Sequence, residues 1–497
     1  MPAARQTEAP SLQVRRLNSL PDPERAFVDL YRHSRSAFWL DSSSGGERGR
    51  FSFIGDGEGP LGAAVTYEVS AGEVRIARNG GVEVRAESIF NYLARELERL
   101  RPLPADLPFD FNCGFAGYLG YELKAECDGA AAHRAATPDA AFVLADRLIA
   151  FDHAERHTYL LALAPAESVI EAEQWLDQTE VRLAALPALD RPRVIAPSPE
   201  LRLRRSRRRY REDIEACQRY LTAGHSYEIC LTNMLEAETE TEPLDLYRAL
   251  RRANPAPFAS YLRFGDLAVL SSSPERFLCV DHGGRAETRP IKGTSRRGVT
   301  PTEDARLAAE LRSGTKSRAE NVTIVDLMRN DLGRVCAIGS VEVPELMAVE
   351  SYETVHQLVS SISGRLRPEL GPLDAVRTCF PPGSMTGAPK RRTMEIIDEL
   401  EGAARGVYSG AIGWFGAGGA CDLSVAIRTI VLEAGKATIG AGGAIVVDSD
   451  PEQEIEEMLL KAAAPAAALG SGASISFAPA AAPDDSERRP LSPTPTS

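Results

Sequence analysis

Short runs of β-branched and aromatic residues alternate with long amphipathic stretches along most of the chain, and this alternation limits the fold more than any other feature. In the first half, strand-like runs fall at 38–40, 51–54, 64–69, 142–146 and 158–163, with helical periodicity at 89–100 and 168–186. In the second half, strand signals occupy 259–264, 268–272, 277–280, 411–415, 423–430 and 436–439. Helical signals there fall at 244–252, 301–311, 319–331, 354–361, 373–378, 390–400 and 452–463. Many strand signals follow one another with no helix between them, which favours antiparallel pairing. The pattern predicts an α/β (α+β) architecture of largely antiparallel sheets flanked by helices. No repeat of 20–50 residues is present.

Composition places the boundaries. Residues 1–11 are polar and expected to be disordered, and a first unit spans 12–185. A Pro- and Arg-rich linker follows at 186–204, then a second unit at 205–463. The Pro/Ala/Ser-biased tail, 464–497, is too poor in large apolar residues to build a core and is expected to be disordered. The formal net charge of −13 argues against a nucleic-acid or anionic-membrane binder. The arginines of 202–211 have no interleaved aromatics except Tyr210, so they read as a solvated linker and helix start. No apolar stretch approaches the length of a membrane span, and residues 1–23 lack the apolar core of a secretory signal. Eight cysteines without a CxxC pair suggest buried thiols of a reducing compartment, hence a cytoplasmic location.

Several segments carry candidate chemistry. GSMTGAPK at 383–390 has the glycines of a phosphate loop but lacks the Lys-Ser/Thr that completes one. GAGGA at 440–444 reads as a second glycine-rich loop whose N–H groups suit a carboxylate. Asp450-Pro451 opens a helix on which Glu454, Glu457 and Lys461, spaced three and four apart, share one face. Together with Glu320 they could supply hard oxygen ligands for Mg2+, although glutamates at this spacing usually form a solvated face. Lys292 lies in TRPIKGT, as a strand-edge residue or, if its pKa is lowered by burial near cations such as Arg289, Arg296 and Arg297, as a nucleophile. His356 reads as a histidine within a helix.

Taken in order, SYEICLTN at 226–233, SPERF at 273–277, PIKGT at 290–294, RAENVTIVDLMRNDLGRV at 318–335, GSMTGAPK, RGVYSGAIGW at 405–414, VAIRT at 425–429 and the final ExxExxxK resemble the chorismate-utilising enzymes. The resemblance covers about 205–463, with a matching first half from about 12 to 165. It implies a large fold of two interleaved halves, with the site in a cleft of the second. Glu320 and Glu457 would be Mg2+ ligands, Glu454 acting through water. Tyr408, Arg428 and the N–H groups of Gly442 and Gly443 would clamp the enolpyruvyl carboxylate of chorismate. Thr386 and Lys461 would touch the substrate, and His356 would face the reacting edge of its ring.

Water-adding members of the family carry a lysine base where this chain has Glu228, and a glutamate where it has Arg289. Anthranilate-forming members usually carry alanine in place of Lys292. PIKGT, with YLGYELKAEC at 118–127, is the pattern of the members that form aminodeoxychorismate. The resemblance therefore implies that Lys292 attacks ring C2, that Glu275 protonates the departing C4 hydroxyl, and that ammonia then displaces the lysine. The alternative is an anthranilate synthase component I, which also releases pyruvate. No GxCxG nucleophile elbow occurs, so the ammonia is expected from a separate glutamine amidotransferase subunit or from free ammonium. Residues 40–43, 50–53 and 254–258 match the places where relatives build a tryptophan pocket, so bound tryptophan is a further ligand the resemblance implies.

Overall fold

The computed structural model describes residues 10–42, 49–78, 80–101, 106–194, 199–352, 355–470 and 475–476. Two large sheets dominate, and each draws strands from both halves of the chain. The first holds thirteen strands among the described residues. It runs from Ser11–Leu17 at one edge through Ser36–Asp41, Phe258–Phe264 and Lys436–Ile445 to Glu228–Glu238 and Leu201–Leu203. The second holds twelve, from Ile291–Arg296 and Val355–Arg365 through Ala411–Gly416 and Gly114–Leu119 to Gly81–Ala86. The halves join where Trp39 pairs with Tyr261 and where Gly117 pairs with Gly413, both in antiparallel register. The interleaving implied by the resemblance is thus built into both sheets.

Alternation along the strands decides the layers. Phe38, Phe53, Leu262 and Val269 face the second sheet and pack with Phe115, Phe142, Leu278 and Ile412. Their neighbours Trp39, Ile54, Tyr261 and Leu270 face the opposite way, against the helices Pro23–Tyr31, Arg207–Thr222, Pro243–Ala253 and Pro451–Ala468. Fully burying one such side chain is worth roughly 1.5–3 kcal/mol, so the strands have little freedom to slip by a residue. Ion pairs on buried carboxylates tie the halves together: Glu24 accepts from Arg248, Arg251 and Arg252, and Arg251 also reaches Asp41.

Several expectations shift. The expected first boundary lies partly outside the described residues, but Ser11 already opens a strand. The linker's last residues, Leu201–Leu203, form a strand against Glu228–Glu238. The final helix runs on to Ala468, and most of the remaining tail lies outside the described residues. The arginines of 202–211 are engaged in ion pairs, Arg205 with Asp213 and Arg207 and Arg211 with Glu452. All eight cysteines are free thiols, six of them buried. No described helix is long and apolar enough to cross a membrane.

Candidate active site

A cleft of about 1320 Å³ opens between the two sheets and the last helix. Lys292 reaches it from the strand Ile291–Arg296, Glu275 from the turn before Arg276–Val280, and Glu320 from the helix Thr315–Gly333. Tyr408, Arg428, Gly442, Gly443, Glu457 and Lys461 complete the wall. Nine of the twelve residues singled out from sequence therefore meet in one cavity.

Glu275 is buried, and burial pushes its carboxyl up to about 7, against a hydrogen bond from Ser384 and the charge of Lys292. It is therefore available as a neutral acid near neutral pH, as proton donation to a leaving group requires. Lys292 departs from expectation. Burial by itself would lower its pKa, but the charges of Glu228 and Glu320 outweigh burial and raise it. Its Nζ donates to Glu228 Oε1 at 2.6 Å. The arginines expected to depress it are all neutralised: Arg289 by Glu345 and Glu350, Arg296 by Glu303, Arg297 by Asp304.

The glycines of 440–443 are not a loop. They belong to the strand Lys436–Ile445 and pair with Glu228–Glu238, Gly442 opposite Thr232 and Gly443 opposite Leu231. Successive strand N–H groups point to opposite edges, so of Gly442 and Gly443 only one can aim away from that partner strand. Their lack of side chains makes room. A Cβ on Gly440 would lie 2.1 Å from the Tyr408 ring, so the ring lies flat on bare backbone. A Cβ on Gly443 would fill the space where Glu454 (3.1 Å), Lys461 (3.7 Å) and Glu457 (3.9 Å) converge. Lys461 Nζ bridges Glu457 at 2.7 Å and the Gly442 carbonyl at 2.9 Å.

Arg428 takes a left-handed backbone conformation (φ 53°), as does Ser409 beside Tyr408 (φ 68°). Such outliers persist only where the surroundings enforce them. Here the Ser409 N–H donates to the Ala426 carbonyl, and the Arg428 guanidinium donates to the Lys461 carbonyl at 2.6 Å. Burial lowers the Arg428 pKa, against the opposing pull of Tyr408 and Glu457. The first-half motif YLGYELK supports the same turn. The Glu122 carboxylate accepts from the N–H groups of Arg405 and Gly406, both at 2.9 Å, just before Tyr408.

Three residues lie outside the cleft wall. His356 is not helical: it sits in the strand Val355–Arg365, its imidazole held between Ser351 and Asp304 at 2.7 and 2.8 Å. Its neighbours Val355 and Gln357 line the cleft, because alternate strand residues face opposite ways. Thr386 is fully buried with its hydroxyl on the Gly383 carbonyl, while Ser384 and Met385 line the cleft. Glu454 is buried behind Gly443, where Ser449 donates to its Oε1. Sequence reasoning assigned no role to Gln357 or Ser384. A period of two in 355–357 would have pointed to the first. Of the expected tryptophan segments, Asn254–Pro257 line this same cleft, and Asp41 is taken up by Arg251 and Tyr247.

This carboxylate- and cation-lined cleft between two interleaved antiparallel sheets defines a class. The family model for chorismate binding enzymes matches residues 37–467, and the chain belongs to that family. It is 50% identical over 476 residues to an aminodeoxychorismate synthase of Streptomyces griseus, a match covering 93% of this chain and 65% of that protein. The chain thus spans just under two thirds of that relative's length. It is 35% identical to anthranilate synthase component 1 of Geobacillus stearothermophilus, covering 93% of this chain and 94% of the relative. The crystal structure of anthranilate synthase component I from Streptococcus pneumoniae superposes with a TM-score of 0.72 at 30% identity, covering 84% and 92%. The menaquinone-specific isochorismate synthase of Escherichia coli shares the fold, with a TM-score of 0.65 at 16% identity, covering 93% and 95%.

Proposed function

We propose that the chain aminates chorismate to 4-amino-4-deoxychorismate, with ammonia supplied by a glutamine amidotransferase partner. The observation that carries this reading is the joint placement of a buried lysine, Lys292, and a neutral buried acid, Glu275, on one cleft. The 50% identity to a named aminodeoxychorismate synthase supports it. In this reading the Lys292 amine, once deprotonated, bonds to ring C2 as the ring double bonds shift and the C4–O bond breaks. Glu275 gives its proton to that oxygen, which leaves as water. Ammonia then bonds to C4 and expels the lysine amine, and the surplus proton on the new C4 amine returns to Glu275. Arg428 and Tyr408 would hold the enolpyruvyl carboxylate.

Magnesium belongs to the same proposal. The donors suit a hard cation, because Glu320 and Glu457 line one cleft and the carboxylate of Glu454 stands behind Gly443. Lys461 at present neutralises Glu457, and among the described residues no three ligand side chains converge closely enough to hold an ion as they stand. Glu320 and Glu457 would hold the ion, which would supply positive charge for the ring carboxylate of chorismate. The test is mass spectrometry of the product from chorismate, Mg2+ and an ammonium salt. The expected product is 4-amino-4-deoxychorismate without pyruvate, and anthranilate plus pyruvate would overturn the assignment.

A further inference from the structure

Glu228 is an acid that the reaction outlined above does not use. It opens the strand Glu228–Glu238 of the first sheet, whereas Lys292 belongs to the second, so their contact spans the two sheets. Both side chains are buried, and they meet at 2.6 Å. Lys292 lines the cleft and Glu228 does not, so the carboxylate stands behind the amine as seen from a bound substrate. Its second oxygen, Oε2, is buried and finds no hydrogen-bond partner among the described residues. A buried carboxylate oxygen without a donor is costly for the anion and cheap for the neutral acid. The hydrogen bond between the two groups gives the proton a direct path from the amine to this carboxylate.

We propose that Glu228 sets the protonation state of Lys292: it keeps the amine charged at rest and takes its proton when the amine attacks. The step balances. One N–H bond of the ammonium breaks, one O–H bond forms on Glu228, and a neutral amine remains with its lone pair free for ring C2. When ammonia expels the lysine, the proton returns and the ion pair re-forms. No proton is exchanged with solvent, and no other reactant is needed. Glu228 is a positioning residue here, acting through Lys292 and not on substrate. The other groups that act on Lys292 are Glu320 from the helix Thr315–Gly333 and Cys230 on the same strand as Glu228. Glu275 also feels the charge of Lys292, and Lys461 acts on Glu275 and Cys230. Each of these can tune the amine, but Glu228 is the group that accepts a hydrogen bond from it at 2.6 Å.

This inference rests on the amination reading, and two arms of one experiment keep the two apart. In the first, acetic anhydride, which acylates neutral amines, labels the chain across pH without chorismate or metal, and peptide mass spectrometry reads Lys292. The wild-type labelling midpoint should lie above the ordinary lysine value of about 10.4. In Glu228→Gln it should fall below that value, since burial remains and the partner charge is gone, and Glu228→Asp should restore most of the difference. Equal midpoints in wild type and a folded Glu228→Gln chain would overturn the proposal.

In the second arm, chorismate and Mg2+ are added without ammonia, and the covalent adduct on Lys292 is timed by intact-protein mass. Wild type should form it at a rate independent of pH below about 7, because the proton moves only within the pair. Glu228→Gln must lose the proton to water, so its rate should fall about tenfold for each pH unit below about 7, where Glu275 stays protonated. A flat profile in Glu228→Gln would also overturn the proposal. A wild-type chain that forms no adduct would overturn the amination reading instead, and the labelling midpoints would still decide whether Glu228 holds the lysine's proton.

Discussion

Replacing Glu275 by glutamine removes an ionisable group while keeping its shape. The carboxyl is raised from an ordinary 4.5 to about 7, chiefly by burial. Between those values the folded chain keeps a proton that the unfolded chain has released, so stability falls as pH rises. Each pH unit of that interval is worth about 1.4 kcal/mol, so above pH 7 the wild type carries a cost of about 3 kcal/mol from this one group. Below pH 4.5 both states are protonated and the cost disappears. Glutamine never ionises, and its amide oxygen can still accept from Ser384. Urea unfolding should therefore show Glu275→Gln more stable than wild type by about 3 kcal/mol at pH 8, with the gap nearly closed at pH 5. Amination should fall by roughly a hundredfold or more, because the leaving hydroxyl loses its proton donor. A stability gap equal at both pH values would refute the burial argument. Near-normal turnover in the variant would refute the role of Glu275 as acid.

Lys292→Ala should abolish the covalent adduct seen by intact-protein mass spectrometry when ammonia is withheld, and slow product formation by about a hundredfold or more. Glu457→Ala should leave circular dichroism unchanged while turnover is lost, and EDTA should have the same effect on wild type, reversed by added Mg2+. Gly440→Ala should be destabilised by about 1–3 kcal/mol in thermal unfolding, since its Cβ would meet the Tyr408 ring at 2.1 Å.

The fold class was legible because hydrophobic period survives in single segments. The helices at Pro301–Ser313, Lys390–Glu401 and Pro451–Ala468 open close to where periodicity and Pro-initiated starts put them. The reading failed at 354–361, where Val355, Leu358 and Val359 fall at helical spacing in a strand that is buried on both faces. The resemblance had turned His356 toward the cleft, whereas its neighbour Gln357 lines it. Gly440–Gly443 failed for a related reason: glycine signals a loop, but here it marks a strand approached closely by Tyr408 and by the heads of three charged side chains. Lys292, Glu320, Glu457 and Arg428 were found through motif resemblance, since their spacing alone fits a solvated surface equally well. The charge state of Lys292 was not legible at all. Its partner lies 64 residues away on the other sheet, and the arginines next to it in sequence are neutralised by the strand Glu342–Ser351 and the helix Pro301–Ser313.

The first half of the chain contributes no side chain among those named at the cleft, yet the site depends on it. Arg428 and Ser409, the residue after Tyr408, are held on strained backbone, and strain of this kind, on the order of 1–3 kcal/mol per residue, needs rigid neighbours. Glu122 supplies them on one side by fixing the amides of Arg405 and Gly406, and its own carboxyl is pushed up to about 7 by burial. Lys124, two residues on, pairs with Asp398 at 2.6 Å and anchors the helix Lys390–Glu401 that leads into the same turn. Arg405 then reaches inward to the carbonyls of Met385 and Cys230 and to Glu401. One short motif of the first half thus fixes the turn that carries Tyr408 in the second. This gives interleaving a mechanical purpose: a cleft lined by one half is kept rigid by the other, and neither half alone would present Tyr408 and Arg428 in these conformations.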